Sequence, residues 1–320
     1  MITAIVLALV IGGAVAAYAG WAGVAIAAGA NPWAYVAGGL AIYAAIMVTI
    51  SGTWFMLAWV FRAARPPEAR IGLAASMRLY WDELRAIARS GPRMMLYRWM
   101  IRDPAPCPSK APVLLLHGVL CNAGVWRGLL TDLRARGIAP VYTLSYGPPL
   151  ASIELFAEQV AAKIDAILRE TGAARVAIVG HSMGGLVARA YLRRHGPAKI
   201  ATIMSVGVPH HGSVHAWLFP GTCLGQLRPG NAWLAELNRA EESPPATRLV
   251  SLWSWHDSMV APQTSSRLAG ADSVELIGIG HNALLYDRRV YALVAEELER
   301  VAADASMTCS CVTSTSGSPA

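Results

Sequence analysis

The amino-terminal end of the chain constrains the fold more than any other feature, because it carries no charged side chain. No Asp, Glu, Lys or Arg occurs before Arg62. Two apolar stretches, Ile2–Gly29 and Ala34–Phe61, each exceed the roughly 20 residues that a helix needs to cross a bilayer. Asn31-Pro32 separates them, and proline ends a helix because it lacks a backbone donor. Residues 1–61 are therefore predicted to form a transmembrane helical hairpin.

A cleaved signal peptide is the competing interpretation of the first stretch. Ala14-Val15-Ala16 and Ala17-Tyr18-Ala19 resemble cleavage sites. Against cleavage, no Lys or Arg precedes the stretch, and the stretch is longer than the apolar core of a signal peptide. A retained anchor of two helices is the preferred interpretation.

The basic residues that follow the hairpin predict its orientation. Nine arginines lie in residues 62–102, directly after the second stretch, whereas the loop around Asn31 is uncharged. Basic residues flank membrane helices on the cytoplasmic side. The chain is therefore expected to be a multi-pass protein of the inner (cytoplasmic) membrane, with its catalytic domain on the cytoplasmic side.

The net charge of +7 is also best explained by a membrane surface. No RNA- or DNA-binding motif is present, so no nucleic-acid partner is expected. Residues 62–110 are predicted to be a basic amphipathic linker, with apolar side chains at helical spacing over Ile71–Ser90. This helix is expected either to lie on the lipid surface or to pack on the rest of the protein.

From residue 111 onward, short apolar strands alternate with amphipathic helices, which predicts an α/β fold with a mostly parallel sheet covered on both faces. The predicted strands are Pro112–Leu116, Pro140–Leu144, Arg175–Val179, Ile200–Val206, Leu249–Trp253 and Val274–Ile277, and the predicted closing helix is Arg289–Ala302. The catalytic domain is expected to span 111–302. An insertion at about 213–246 is predicted to be a cap or lid over the site. The Ser/Thr-rich tail, 303–320, is expected to be disordered.

The motif that carries the chemistry is Gly180-His181-Ser182-Met183-Gly184. It has the G-x-S-x-G pattern, and it lies between a predicted strand and a predicted helix, which is the context that gives the pattern meaning. The glycines allow a sharp turn that exposes the serine hydroxyl at the end of the strand. Ser182 is therefore the predicted nucleophile.

A serine hydroxyl needs a base, and the base needs a carboxylate to orient it. The order nucleophile, acid, histidine leaves His281 as the general base. Asp257 is the predicted acid, because it follows the strand that ends near Trp253. Asp272 and Glu275 are the alternatives.

Two backbone N–H groups are expected to form the oxyanion hole. One belongs to Met183, next to the nucleophile, and the other to Val119 in the loop after the first strand, with Leu120 as second choice. Leu120, Trp217 and Phe219 are proposed as substrate-binding residues, although large apolar residues of the cap could equally serve packing.

Neither a metal nor a cofactor is expected. His210, His211 and His215 lie close together in sequence, but no neighbouring Cys or carboxylate completes a ligand set. The number of cysteines is odd and their spacing matches no zinc pattern. Cys121 is expected to be a small buried side chain, with a reactive thiol as the alternative.

These motifs resemble the bacterial lipase and esterase branch of the α/β-hydrolase superfamily. The matching pieces are the apolar strand followed by His117-Gly118, the elbow Gly180–Gly185, and the loop 207–213, in which Val208 replaces the usual threonine. The resemblance covers about residues 111–300, and it implies that Val119 and Met183 form the oxyanion hole. Secreted lipases lack a membrane hairpin, so the resemblance does not extend to extracellular fat digestion.

The sequence thus predicts a membrane-anchored serine hydrolase that cleaves carboxylic esters, in particular a lipase-like esterase acting on acyl lipids. An acyltransferase or thioesterase would use the same triad. A catalytically inert, hydrolase-like membrane accessory protein is the alternative from another functional class.

Overall fold

The computed structural model describes the backbone of residues 2–239 and 247–313, and the side chains of 9–239 and 247–305. It begins with two long apolar helices, α1 (Ile2–Ala27) and α2 (Pro32–Val60). The Asn31 side chain caps α2 by accepting a hydrogen bond from the Trp33 N–H at 3.0 Å. Both helices are long and apolar enough to cross a membrane, and most of their described side chains are exposed. That exposure is not typical of the core helices of a soluble protein.

A six-stranded parallel sheet forms the centre of the rest of the chain. Its strands are β1 (Val113–Leu116), β2 (Val141–Leu144), β3 (Val176–His181), β4 (Ile200–Val206), β5 (Arg248–Ser254) and β6 (Asp272–Leu276). Their order across the sheet is β2-β1-β3-β4-β5-β6, and every pair is parallel. The predicted parallel α/β architecture is confirmed. β3 continues beyond its predicted end at Val179 because Gly180 and His181 still pair with β4.

Amphipathic helices cover both faces of the sheet. One face is buried by α6 (Ile153–Thr171) and α7 (Met183–His195), and the other by α5 (Arg127–Ala135) and α10 (Arg288–Thr313). Helix α10 extends past its predicted end at Ala302. Its alanines favour helix, and Arg300 forms an i,i+4 ion pair with Asp304 at 2.8 Å. The last residues of the expected disordered tail lie outside the described part of the chain.

The basic segment after the hairpin forms α3 (Leu73–Met95) and a single turn, α4 (Tyr97–Met100). One face of α3 is buried at four positions spaced by three or four residues, Leu79, Glu83, Ala86 and Ser90, and Ala86 belongs to the core of the sheet domain. The opposite face exposes Leu73, Met77 and Trp81. Of the two expected placements, the structure therefore shows packing on the rest of the protein, with an apolar outer face left uncovered.

The carboxyl-terminal end of α2 is docked on the same domain. The Ala58 carbonyl accepts a hydrogen bond from the Gln263 side chain at 3.2 Å, and the Trp54 carbonyl accepts one from the His215 ring at 3.2 Å. Ser51 and Ala58 are buried. The hairpin is thus joined to the sheet domain by specific contacts as well as by the chain.

The predicted cap segment contains short elements between β4 and β5. They are a 3₁₀ turn at Val214–Trp217, α8 (Thr222–Gln226) and α9 (Ala232–Arg239). Residues 240–246 of the predicted cap lie outside the described residues.

Candidate active site

The site is built at the carboxyl edge of the sheet, where the strand ends lie level with one another. Leu116 of β1 pairs with Gly180 of β3, and Val206 of β4 pairs with both His181 and Leu252. The loops that follow β1, β3, β4 and β5 therefore begin side by side, which is where ligands bind in open parallel sheets.

Ser182 occupies a sharp turn between the last residue of β3 and the first residue of α7. Its φ of 55° and ψ of −127° are strained for a residue with a side chain, and its N–H donates to the Val206 carbonyl at 2.9 Å. A Cβ at Gly184 would collide with the Leu116 carbonyl, so no larger residue fits there. The surrounding backbone thus holds Ser182 in a conformation typical of a nucleophile elbow.

His281 and Asp257 form a buried pair close to this turn. The His281 Nδ1 lies 2.9 Å from the Asp257 Oδ2, and both side chains are almost fully buried. The other carboxylate oxygen accepts the N–H groups of Met259 and Val260 at 2.8 and 2.7 Å. These bonds orient the carboxylate, which in turn orients the imidazole so that its Nε2 is left for other contacts.

The charges around His281 favour its protonated form. Burial lowers the pKa of His281, but the nearby Asp257 carboxylate and, more weakly, the Glu83 carboxylate outweigh burial, so the net pKa is raised. Burial, followed by the charge on His281, holds the pKa of His181 well below its usual range. Neutral His181 then donates its Nε2–H to the His281 carbonyl at 3.1 Å.

The alternative acids do not contact His281. Asp272 forms an ion pair with Arg248, and Glu275 accepts hydrogen bonds from the Trp255 indole at 2.7 Å and from Arg267 at 2.8 Å. Both carboxylates lie on the edge strand β6.

The loop after β1 faces Ser182. A Cβ at Gly118 would lie 3.0 Å from the Ser182 Cβ. The loop forms a turn closed by the Cys121 N–H donating to the Gly118 carbonyl at 3.3 Å, and its third residue, Leu120, has a φ of 54°. The closed turn sets the orientation of the Val119 peptide, whose N–H is the predicted oxyanion donor. Met183 begins α7, so its N–H is among the donors without an acceptor within the helix.

A cavity of about 260 Å³ lies over these groups. Ser182 and His281 line it, as do Leu120 and Phe219, two of the residues proposed to bind substrate. Trp217 does not line it: this side chain is 61% exposed and lies under the Arg228 guanidinium at 4.5 Å.

Trp54, near the end of α2, lines the same cavity. Its ring lies 5.9 Å from the Phe219 ring and 5.4 Å from the His215 ring. The sequence did not predict a role for Trp54 at the site. No local signal predicts that a helix so distant in sequence reaches the site, because this depends on how α2 packs on the cap.

The three neighbouring histidines make separate contacts with protein. His210 bonds to the Arg189 side chain at 3.1 Å, His211 donates to the Arg267 carbonyl at 3.1 Å, and His215 bonds to α2 as described. Among the described residues, no group of three His, Cys, Asp or Glu side chains is arranged to hold a metal ion. Burial raises the pKa of the Cys121 thiol to about 12, which opposes the reactive thiolate form.

Comparisons with known proteins agree with this architecture. A family model described as "alpha/beta hydrolase fold" matches residues 111–251. The structure superimposes on Bacillus licheniformis lipase BlEst2 in its mature form with a TM-score of 0.54 and 17% identity, covering 62% of this chain and 96% of that one. For Aspergillus fumigatus lipase B the TM-score is 0.55 with 21% identity, covering 64% and 57% of the two chains.

The sheet domain has the α/β-hydrolase fold. Curated relatives of this domain include triacylglycerol lipases of Pseudarthrobacter phenanthrenivorans and Burkholderia plantarii. Each is 32% identical over an alignment of 121 residues, and the alignments cover 34% of this chain and 36% or 32% of the relative. The match therefore spans only about a third of each relative. The hairpin, α3 and α4 precede the residues that match the family.

Proposed function

We propose that this chain is a membrane-anchored serine hydrolase that cleaves carboxylic esters of acyl lipids. The observation that carries the proposal is the buried Asp257–His281 pair, whose histidine lines an apolar cavity together with the strained Ser182. A serine with these partners at the end of a parallel strand is the arrangement that acyl transfer through an acyl-enzyme requires.

In the proposed reaction, the Ser182 Oγ attacks the ester carbonyl while the His281 Nε2 accepts the hydroxyl proton. The Asp257 carboxylate stabilises the imidazolium that forms. The N–H groups of Met183 and Val119 hold the oxyanion of the tetrahedral intermediate. The intermediate collapses, His281 returns the proton to the leaving alcohol, and the acyl group stays on Ser182. Water then attacks the acyl-enzyme while His281 accepts its proton, and His281 returns that proton to the Ser182 Oγ as the carboxylic acid leaves.

An acyl chain is the substrate part that best matches the cavity. The walls away from the polar groups are apolar and include Trp54, Leu224, Leu227 and Val260. A volume of about 260 Å³ is below the roughly 300–1,000 Å³ of pockets for drug-sized ligands. It therefore suits a single acyl chain, with the rest of a lipid outside the cavity. That triacylglycerol lipases are among the relatives supports the same substrate class.

The dimensions of α2 support membrane anchoring next to the cavity. Its 29 residues extend over about 43 Å at the rise of an α-helix, whereas the hydrocarbon core is about 30 Å thick. Trp54 lies in the last two turns, so it would stand near the headgroup level when the rest of α2 spans the bilayer. Arg62, Arg65 and Arg70 follow immediately and favour the cytoplasmic side for the catalytic domain.

A fluorophosphonate probe tests the nucleophile directly. We expect the folded protein to be labelled at Ser182 and to hydrolyse p-nitrophenyl esters, and we expect Ser182→Ala to lose both properties. Ser76→Ala is the control, because Ser76 lies on α3 outside the cavity and its hydroxyl donates to the Gly72 carbonyl at 3.1 Å. An adduct located on another residue by mass spectrometry would refute the assignment, as would ester hydrolysis that persists in Ser182→Ala.

A further inference from the structure

A carboxylate from outside the matched family region is buried beside the catalytic loops. Glu83 belongs to α3, and it is only 1% exposed. A buried carboxylate is costly unless donors surround it. One oxygen, Oε1, accepts the Ser258 hydroxyl at 2.7 Å and the Asn282 N–H and side-chain amide at 3.0 and 2.9 Å. The other, Oε2, accepts the Ala283 N–H at 2.9 Å.

These donors come from the two loops that carry the catalytic pair. Ser258 follows Asp257, and Asn282 follows His281. The Ser258 hydroxyl, which donates to Glu83, also accepts the His281 N–H at 3.3 Å. The Glu83 carboxylate therefore links the loop that carries Asp257 (the acid loop) to the loop that carries His281 (the base loop). The Ser258 hydroxyl alone connects it to the His281 N–H.

The fit of the base loop against Glu83 is tight. A Cβ at Gly280 would collide with the Glu83 carboxylate. The residue before His281 therefore has no side chain at the point where the loop meets α3. Glu83 does not line the cavity, so it does not contact a substrate held there.

We propose that Glu83 is a positioning residue for the catalytic base: from α3 it holds the loops of Asp257 and His281 at the separation that catalysis needs. The proposal rests on the function proposed above. Because Glu83 acts through the loops, its loss should impair the chemical step and leave substrate binding nearly intact.

The charge of Glu83 has a separate effect, which distinguishes positioning from a purely structural role. Glu83 favours the imidazolium form of His281 and contributes to its raised pKa. Protonated His281 cannot accept the Ser182 proton, so wild-type kcat/KM should fall as pH drops through this raised pKa. Removing the charge lowers the pKa of His281, so the acid limb of the profile should move to lower pH.

The test compares Glu83→Gln with wild type in kcat, KM and the pH profile of kcat/KM. We expect kcat to fall on the order of 10- to 100-fold, as small misplacements of catalytic groups do. We also expect KM to be nearly unchanged and the acid limb to shift to lower pH. Asp82→Asn is the matched control: it removes a carboxylate from the neighbouring position of α3, where Asp82 pairs with Arg78 and Arg85 near the surface. This control should behave as wild type.

Two further measurements keep the outcome decisive. Rates are expressed per fluorophosphonate-reactive site, which corrects for unfolded protein. Ser258→Ala removes the hydroxyl that links Glu83 to the His281 backbone, but it retains the charge of Glu83. In this variant kcat should fall without a shift of the acid limb of the pH profile. This test remains available if Glu83→Gln does not fold. A Glu83→Gln or Ser258→Ala protein with wild-type kcat per reactive site would overturn the proposal. If wild type hydrolyses no ester, the proposed function fails, and the rate of Ser182 labelling in the same variants then decides whether Glu83 positions the base.

Discussion

Replacing Trp54 with alanine tests whether the anchor helix forms a wall of the acyl cavity. Trp54 lies on α2, yet it lines the cavity with Ser182 and packs near Phe219. Its carbonyl, which bonds to His215, is retained in Trp54→Ala, so the docking of α2 should persist. The substitution therefore removes the indole from the cavity and leaves the catalytic groups in place.

The expected size of the effect follows from burial of the acyl chain. Each methylene that the cavity buries contributes about 0.8 kcal/mol, which is about a fourfold rise in kcat/KM. Extending a butyrate ester to an octanoate ester adds four methylenes, or on the order of 200-fold if all are buried. Without the indole, one side of the chain faces water. We then expect the rise to fall to about twofold per methylene, since roughly half of the burial is lost.

The assay measures kcat/KM on a series of p-nitrophenyl esters from acetate to octanoate. The same detergent is present throughout, and each substrate is kept below its own critical micelle concentration. Acetate hydrolysis should be nearly unchanged in Trp54→Ala. Trp59→Ala is the matched control, because Trp59 lies on the same helix but is exposed and packs under Arg62. If kcat/KM rises equally with acyl length in wild type and Trp54→Ala, Trp54 does not contact the acyl chain. A wild-type preference for acetate would refute the proposal that the cavity binds an acyl chain.

Two further predictions concern the acid and the topology. Asp257→Asn should lower kcat on the order of 10⁴-fold by stabilising the wrong tautomer of His281, whereas Glu275→Gln should leave kcat within a few-fold of wild type. Steady-state kinetics measures both effects. The reverse result would identify Glu275 as the acid instead of Asp257. Reporter fusions after Arg70 should give a cytoplasmic signal, and external protease should leave the domain intact in spheroplasts. An amino terminus mapped near residue 20 would instead indicate cleavage and reverse the topology.

The strands of the sheet could be predicted because each is encoded by a short stretch of consecutive residues. Each strand is a short apolar run, and the glycines of the elbow occur where the backbone is too close for a side chain. Strand β3 ended later than predicted because polar His181 still pairs with β4, which hydropathy does not register. Helix α10 ended later than predicted because alanines continue past Ala302 and Arg300 pairs with Asp304 one turn further on, which favours helix.

The predicted triad residues and Val119 lie at one edge of the sheet, because chain order and strand ends already place them there. Trp217 was proposed to bind substrate from its size alone, but the size of a side chain does not determine where it points. Phe219, two residues later, lines the cavity, whereas Trp217 lies outside it. Trp54 and Glu83 were missed because their roles depend on the packing of helices that no motif relates to the site.

Residues 62–110, predicted to be a linker, are expected to do more than connect the hairpin to the sheet domain. If α3 only tethered the domain, its buried face would need to be apolar and nothing more, because packing requires no charge. Instead it buries Glu83, which is unfavourable unless the loops of Asp257 and His281 supply their donors. Those donors would be left without acceptors if α3 moved away, at a cost of about 1–3 kcal/mol for each buried group. Helix α3 also packs on α2, where the Tyr80 hydroxyl donates to the Val48 carbonyl at 2.8 Å and the Tyr80 ring lies 5.6 Å from the Phe55 ring. We therefore expect a displacement of the anchor helix to act on the loops of Asp257 and His281 through α3.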